Sequence, residues 1–184
     1  MPLNWFVALP VPTHGWFDKL VVDAPAGVRI FDPRDVHLTV AFLGQVGEPR
    51  ARQAWARVMG VRAAPIRCGL GGLRAMGNPR RPSALSVVLE EGHARVVALV
   101  AELRGPVLEA AGAPPERREI VAHVTVARPS RTAKDRERRA AVAWATAKPA
   151  VGALVTIERI ALYSWAEDRA ARQFRIVDEL PLRE

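Results

Sequence analysis

Two short segments carry the residue types that could move protons at a phosphate. Residues 36–44 read VHLTVAFLG and residues 122–128 read AHVTVAR. Each holds a histidine, an apolar residue, a threonine and a valine, and the chain has only four histidines in all. Along a β-strand, residues i and i+2 share a face. His37 and Thr39 therefore project together, with Leu38 and Val40 behind them, and His123 and Thr125 project together in front of Val124 and Val126. Facing one another, the strands would surround one cleft with two imidazoles and two hydroxyls. Imidazoles titrate near neutral pH, so one can take a proton from a nucleophile while the other returns one to a departing oxygen. Hydroxyls can donate to non-bridging phosphate oxygens as charge builds on them. Arg128, three residues beyond Thr125 and at or just past the strand end, can reach the same anion.

Neither segment supplies Asp, Glu or Cys as a further ligand, so two histidines make a poor zinc site and no metal is expected. The other two histidines, His14 and His93, stand at the starts of expected helices and read as surface or capping residues. The single cysteine, Cys68, sits in a strand-like apolar stretch with no histidine near it, and reads as a buried structural thiol.

The elements that must hold the two segments can be read from the flanking pattern. NWFVALPV is a first strand ended by prolines, and residues 13–22 form a short helix limited by Gly15 and Pro25. VHLTVAFLG is a buried strand, and EPRARQAWARVMG a helix with Pro near its start and Gly60 at its end. APIRCGLGGLRAMG is a bulged strand or two, NPRRP a loop, and SALSVVLE a strand. A helix runs to Gly112, PPERRE turns, and IVAHVTVAR is a strand stopped by Pro129. A charged helix follows over residues 132–148, then two long strands joined by a turn around residues 167–170. This order predicts an α+β fold with largely antiparallel sheets. The two histidine strands lie 86 residues apart, close to half of the 184-residue chain, as an internal duplication into two lobes would leave them.

Composition narrows the partners. The formal net charge is +8, and only three of the 27 basic residues are lysines, leaving 24 arginines. Guanidinium forks match phosphate geometry, so an Arg-rich surface suits RNA, although an Ala-, Arg- and Pro-rich chain can also follow from biased codon usage. No apolar run approaches the roughly 18 to 20 residues that span a bilayer, so no membrane partner is expected. The N-terminus has no basic n-region and is interrupted by Pro10 and Pro12, which predicts no signal peptide and a cytoplasmic protein.

The segments HLTVAFLG and HVTVARP closely resemble the paired His-x-Thr-x motifs of the 2H phosphoesterase superfamily, and their surroundings resemble its RNA 2′,3′-cyclic phosphodiesterases, long called 2′-5′ RNA ligases. WFVALPVP, FLGQV, ARP and ERIALYSW with RQFRIVDELPL are similar as well, so the resemblance covers nearly the whole chain. It implies a bilobal α+β fold over residues 1–184, a single domain in which two antiparallel sheets, related by a pseudo-twofold, form a central cleft with helices outside. It implies His123 as proton acceptor and His37 as proton donor, Thr39, Thr125 and Arg128 as phosphate-binding residues, and no cofactor. The expected reaction is metal-independent hydrolysis of RNA 2′,3′-cyclic phosphate ends to 2′-phosphomonoesters, by a monomer acting on RNA ends or small cyclic nucleotides. The family's Phe-x-Pro before the second histidine is replaced by Ile120, Val121 and Ala122, which removes an aromatic from that place. Phe42, Trp165 or Tyr163 could stack on a base instead, but alternation puts Phe42 with Leu38 and Val40 in the core.

Two alternatives accompany this reading. The same residues could run the reverse reaction, 2′-5′ ligation. Arg80, Arg81, Arg117, Arg118, Arg138 and Arg139 could instead belong to a catalytically idle RNA-binding module.

Overall fold

Alternation and glycine punctuation set out most of the elements. In a computed structural model of the chain, residues 3–78, 81–169 and 172–184 are described. The chain opens with β1 (Trp5–Pro10), α1 (Phe17–Val21) and β2 (Val28–Ile30), then runs through β3 (His37–Gly44), α2 (Glu48–Ala56), β4 (Ile66–Asn78) and β5 (Arg81–Leu89). The second half holds α3 (His93–Ala111), β6 (His123–Pro129), α4 (Asp135–Ala147), β7 (Leu154–Ile157), β8 (Arg159–Trp165) and β9 (Phe174–Pro181). Helix α3 stops where Gly112 adopts a φ of 64°, a left-handed conformation open to glycine at little cost, and its N–H closes on the Glu109 carbonyl.

The strands form two antiparallel sheets, one in the order β3-β1-β8-β9 and the other β2-β6-β5-β4-β7. The two motif strands thus fall in different sheets, and β3 packs near β6. One apolar cluster runs from Val7, Leu9 and Val40 of the first sheet to Val87 and Val124 of the second, and takes in Trp55 of α2, Leu103 of α3 and Ala141 of α4. A smaller cluster of Phe6, Ala8, Phe31, Ala161, Tyr163 and Phe174 covers the other face of the first sheet. Cys68 is buried in the main core, and burial pushes its thiol up to about 11, as a structural thiol requires. His14 is exposed on a turn and His93 opens α3 half-buried. Among the described residues no helix is long and apolar enough to cross a membrane.

One short strand lies outside the sequence expectations, and two expectations need correction. The three-residue strand β2 is too short to announce itself by periodicity. The expected long strand over residues 152–168 is two strands that break at Glu158 and belong to different sheets, β7 beside β4 and β8 beside β1 and β9. The glycine-rich stretch is a bulged strand as expected, the single strand β4 with a register shift between Leu70 and Leu73, whereas Arg81 and Pro82 of the expected loop begin β5. Part of that loop, residues 79–80, and the end of the expected turn, residue 170, lie outside the described residues.

Candidate active site

Strict alternation would hide two of the site's side chains, and matched β-bulges bring them out. In β3, Val7 and Ala8 of β1 pair with Ala41 and Thr39, so Val40 is an extra residue in the ladder. In β6, Leu85 and Ser86 of β5 pair with Ala127 and Thr125, so Val126 is the extra residue. Both strands carry the bulge one place after the threonine, and both show the same burial order. A bulge resets which face the next residue takes. Val40 and Ala41 are both buried, as are Val126 and Ala127. The fifth residue after each histidine therefore turns outward: Phe42 in β3 and Arg128 in β6. The Phe42 ring is 57% exposed and lines the cleft, so the expectation that it lies in the core is wrong. Arg104 of α3 holds the first bulge in place by donating from Nε to the Val40 carbonyl at 3.0 Å.

The two imidazoles are oriented alike. Nδ1 of His37 lies 2.6 Å from the Asp35 carbonyl oxygen, and Nδ1 of His123 lies 2.6 Å from the Val121 carbonyl oxygen. A carbonyl only accepts, so Nδ1 carries the proton and donates in both residues. Each ring is thus held in one tautomer with Nε2 left for chemistry.

Their surroundings differ. His37 stands within an aromatic wall: its ring centroid is 4.8 Å from Phe6, 5.3 Å from Tyr163 and 5.3 Å from Phe174, which it meets edge-on. Burial lowers the imidazole to about 4, against the opposing pull of its bond to Asp35, and the charges of Arg128 and His123 push it the same way. His37 is therefore neutral at pH 7. Between the ordinary value of 6.5 and about 4, the unfolded chain binds a proton that the folded chain does not, so stability falls as pH drops through this window. The loss attributable to His37 should reach about 3 kcal/mol at full extent. Urea unfolding at pH 7 and pH 4.5 should show the acid loss in the native protein and much less of it in His37→Gln. An equal loss in both would rule out burial of the His37 imidazole as its cause.

Asp35 sits beneath this arrangement, and no pattern in the sequence marks it, although it lies only two residues before His37. A short 3-10 turn over Pro33–Asp35 delivers it, capped by the Asp32 side chain accepting from the Arg34 N–H at 2.9 Å. Its carboxylate is fully buried and accepts the backbone N–H groups of Gln173 at 2.6 Å and Phe174 at 3.2 Å, with Arg172 3.6 Å away. Gln173 in turn accepts from Arg29 at 2.7 Å. Arg29 pairs with Arg128 across β2 and β6, and both guanidiniums lie over the Phe31 ring, at 6.0 and 5.6 Å. One buried carboxylate thus ties the start of β9, the turn before His37 and an arginine of the other sheet together.

The cleft between the sheets has a volume of about 820 Å³. His37, Thr39, Phe42 and Arg128 line it, as do Trp165 and Phe174. Arg169 stacks over Trp165 at 3.9 Å. His123 and Thr125 are partly exposed on the same strand face as Arg128, but they are not among the lining residues. The Thr125 hydroxyl meets Ser86 Oγ at 3.0 Å, a partner that sequence reasoning misses because Ser86 is brought in by β5. Tyr163 is fully buried, so it cannot stack on a base. Of the expected RNA-binding arginines, Arg81 lines the cleft, Arg138 is buried at 9% exposure, and Arg118 is paired with Glu116 at 2.5 Å. Arg117 and Arg139 are exposed, and Arg80 lies outside the described residues. Among the described residues no group of three or more His, Cys, Asp and Glu is placed to hold a metal ion.

The sequence model of the 2′-5′ RNA ligase superfamily matches residues 15–169. A curated relative from Aeropyrum pernix, an RNA 2′,3′-cyclic phosphodiesterase, is 31% identical over 101 residues, 55% of this chain and 57% of that protein. A second of the same name, from Archaeoglobus fulgidus, is 34% identical over 68 residues, 36% of this chain and 39% of that protein. The chain thus spans about half the length, or less, of the curated relatives it matches. Among solved structures, Escherichia coli LigT complexed with 3′-AMP superposes with a TM-score of 0.77 at 17% identity, covering 100% of both chains. A Thermus thermophilus protein superposes with a TM-score of 0.73 at 23% identity, covering 98% of each. At such identities these two show the shared fold: two antiparallel sheets about a central cleft, with helices outside.

Proposed function

The chain belongs to the 2′-5′ RNA ligase superfamily, and from that premise we propose that it hydrolyses RNA 2′,3′-cyclic phosphate ends to 2′-phosphomonoesters without a metal. One observation carries the reading. Two imidazoles, each pinned through Nδ1 and bare at Nε2, stand on equivalently bulged strands, with an arginine-lined cleft beside them. The names of the curated relatives, RNA 2′,3′-cyclic phosphodiesterases, support the substrate class. The apolar cluster running through both sheets supports reading residues 1–184 as one bilobal unit.

In the proposed reaction a water oxygen attacks phosphorus and the P–O3′ bond breaks. One Nε2 takes the water's proton and the other donates a proton to O3′. Thr39 and Thr125 donate to non-bridging oxygens, and Arg128 neutralises the anion. The Ser86 hydroxyl lies 3.0 Å from the Thr125 hydroxyl and is able to donate to it, which would leave the threonine's own proton for the phosphate. The family resemblance makes His37 the donor. That role requires His37 to capture a proton as the anionic phosphate enters, because burial holds it neutral at pH 7. The reverse assignment uses the neutral His37 imidazole as it stands.

The test is an oligoribonucleotide with a 2′,3′-cyclic phosphate end incubated in EDTA. The expected product is the 2′-phosphate; a 3′-phosphate, or no turnover unless a divalent metal is restored, overturns the proposal.

Phe42 replaces, on the opposite strand, the aromatic missing before His123. Stacking of a base on an exposed ring contributes about 1 to 3 kcal/mol. Phe42→Ala should therefore raise KM by about fivefold to a hundredfold with kcat little changed. A kcat loss with unchanged KM would place Phe42 outside base binding.

A further inference from the structure

The charge lining the cleft exceeds what one cyclic phosphate can neutralise. Arg29, Arg81, Arg128, Arg131, Arg138 and Arg169 line it, and no Asp or Glu does so among the described residues. A cyclic phosphate brings one negative charge. Arg128 is the cation felt at His37, so it belongs with the reacting group. Arg131 is felt at Arg128 and Arg29. Arg29 is held by Gln173, and Arg169 lies on Trp165. Arg81, Arg131 and Arg138 remain, all contributed by the lobe that carries β5, β6 and α4.

Arg138 is the informative member. It is nine-tenths buried, and one terminal nitrogen donates to the Ser130 carbonyl at 3.2 Å and the Arg131 carbonyl at 3.5 Å. Its Nε, also buried, has no hydrogen-bond partner among the described residues. A buried donor without an acceptor costs free energy that a ligand oxygen can recover. Arg138 therefore braces the turn after β6, whose Ser130 and Thr132 hydroxyls meet at 3.1 Å, and its side chain, which lines the cleft, carries a buried donor unpartnered among the described residues.

We propose that Arg131 and Arg138, with Arg81 from the neighbouring strand, form a second anion subsite that holds a backbone phosphodiester of the same RNA strand. The substrate is then an oligoribonucleotide rather than a cyclic mononucleotide. This rests on the reading of the cleft as a cyclic-phosphate site. Each phosphate neutralised on a single strand steepens the salt dependence by about 0.7 in log–log slope.

The experiment compares cytidine 2′,3′-cyclic phosphate with oligocytidylates of two, four and six nucleotides carrying the same end. The expected result is that kcat/KM rises about tenfold or more from mononucleotide to tetramer, through KM, and that the salt slope steepens with it. Arg131 is exposed, so Arg131→Ala should fold, and it should cost the tetramer at least five times more than the mononucleotide. Equal kcat/KM at every length, or equal losses on both substrates in Arg131→Ala, overturns the subsite. If no cyclic end is hydrolysed, the proposed function falls while the subsite is still decided by anisotropy of fluorescein-labelled hexacytidylate. Binding at least tenfold weaker in Arg131→Ala upholds it, and equal affinity overturns it.

Discussion

Replacing His37 or His123 with alanine is expected to reduce turnover of an RNA 2′,3′-cyclic phosphate by about a thousandfold or more, since each would remove one arm of an acid–base pair with a usual worth of about 10² to 10⁴. The double variant should fall little below the worse single one, because residues acting as a unit do not contribute additively. Either single variant retaining activity within tenfold of the native protein would exclude the pair. A substrate with an aryl leaving group separates the two roles, because a phenolate departs without being protonated. The variant lacking the acid recovers most of its activity on that substrate, and the variant lacking the base does not. Recovery in His37→Ala supports the assignment that the family resemblance implies. Recovery in His123→Ala makes His37 the base, in keeping with its neutral, buried imidazole.

The second large effect is expected at Asp35. Its carboxylate is fully buried, accepts two backbone N–H groups and faces Arg172. Asp35→Ala strands those donors and leaves the guanidinium without its counter-charge. Leaving each buried backbone donor unsatisfied costs about 1 to 3 kcal/mol, which together for a chain of this size lowers Tm by roughly 10 °C. Asp35→Asn keeps one acceptor oxygen and should lose less. The activity of Asp35→Asn, measured well below its Tm, reports on positioning. The Asp35 carbonyl orients His37, while Gln173, held by the Asp35 carboxylate, orients Arg29. A lower kcat in a fully folded Asp35→Asn protein is expected. Native stability in Asp35→Ala would show that the buried carboxylate holds nothing together.

The two His-x-Thr segments are legible in the sequence because strand alternation is local. A period of two puts His37 with Thr39 and His123 with Thr125 whatever the rest of the chain does. The same rule fails at Phe42. The bulge at Val40 is imposed by the partner strand, where Val7 and Ala8 must pair with Ala41 and Thr39, and by the Arg104 side chain on its carbonyl. Neither influence is near in sequence. Arg128 stands out along the chain as an anion-binding candidate, but its turn into the cleft depends on the matching bulge at Val126. Arg138 reads in the sequence as one of many surface arginines on a charged helix. Its burial follows from α4 packing back onto the second sheet.

By itself, then, the sequence determined which residues could do chemistry, that they lie on two similar strands, and that the chain is α+β with antiparallel pairing. These follow from residue type, period and punctuation, all carried by neighbours along the chain. Only the tertiary structure decided that the long C-terminal β segment divides between two sheets, that Asp35 underpins His37, and that six arginines converge without a lining carboxylate among the described residues. Those features depend on pairings across 64 to 144 residues, as in the bonds from Arg104 to Val40 and from Arg29 to Gln173. No local pattern encodes them, because the partner that gives each residue its role is fixed by sheet order and packing.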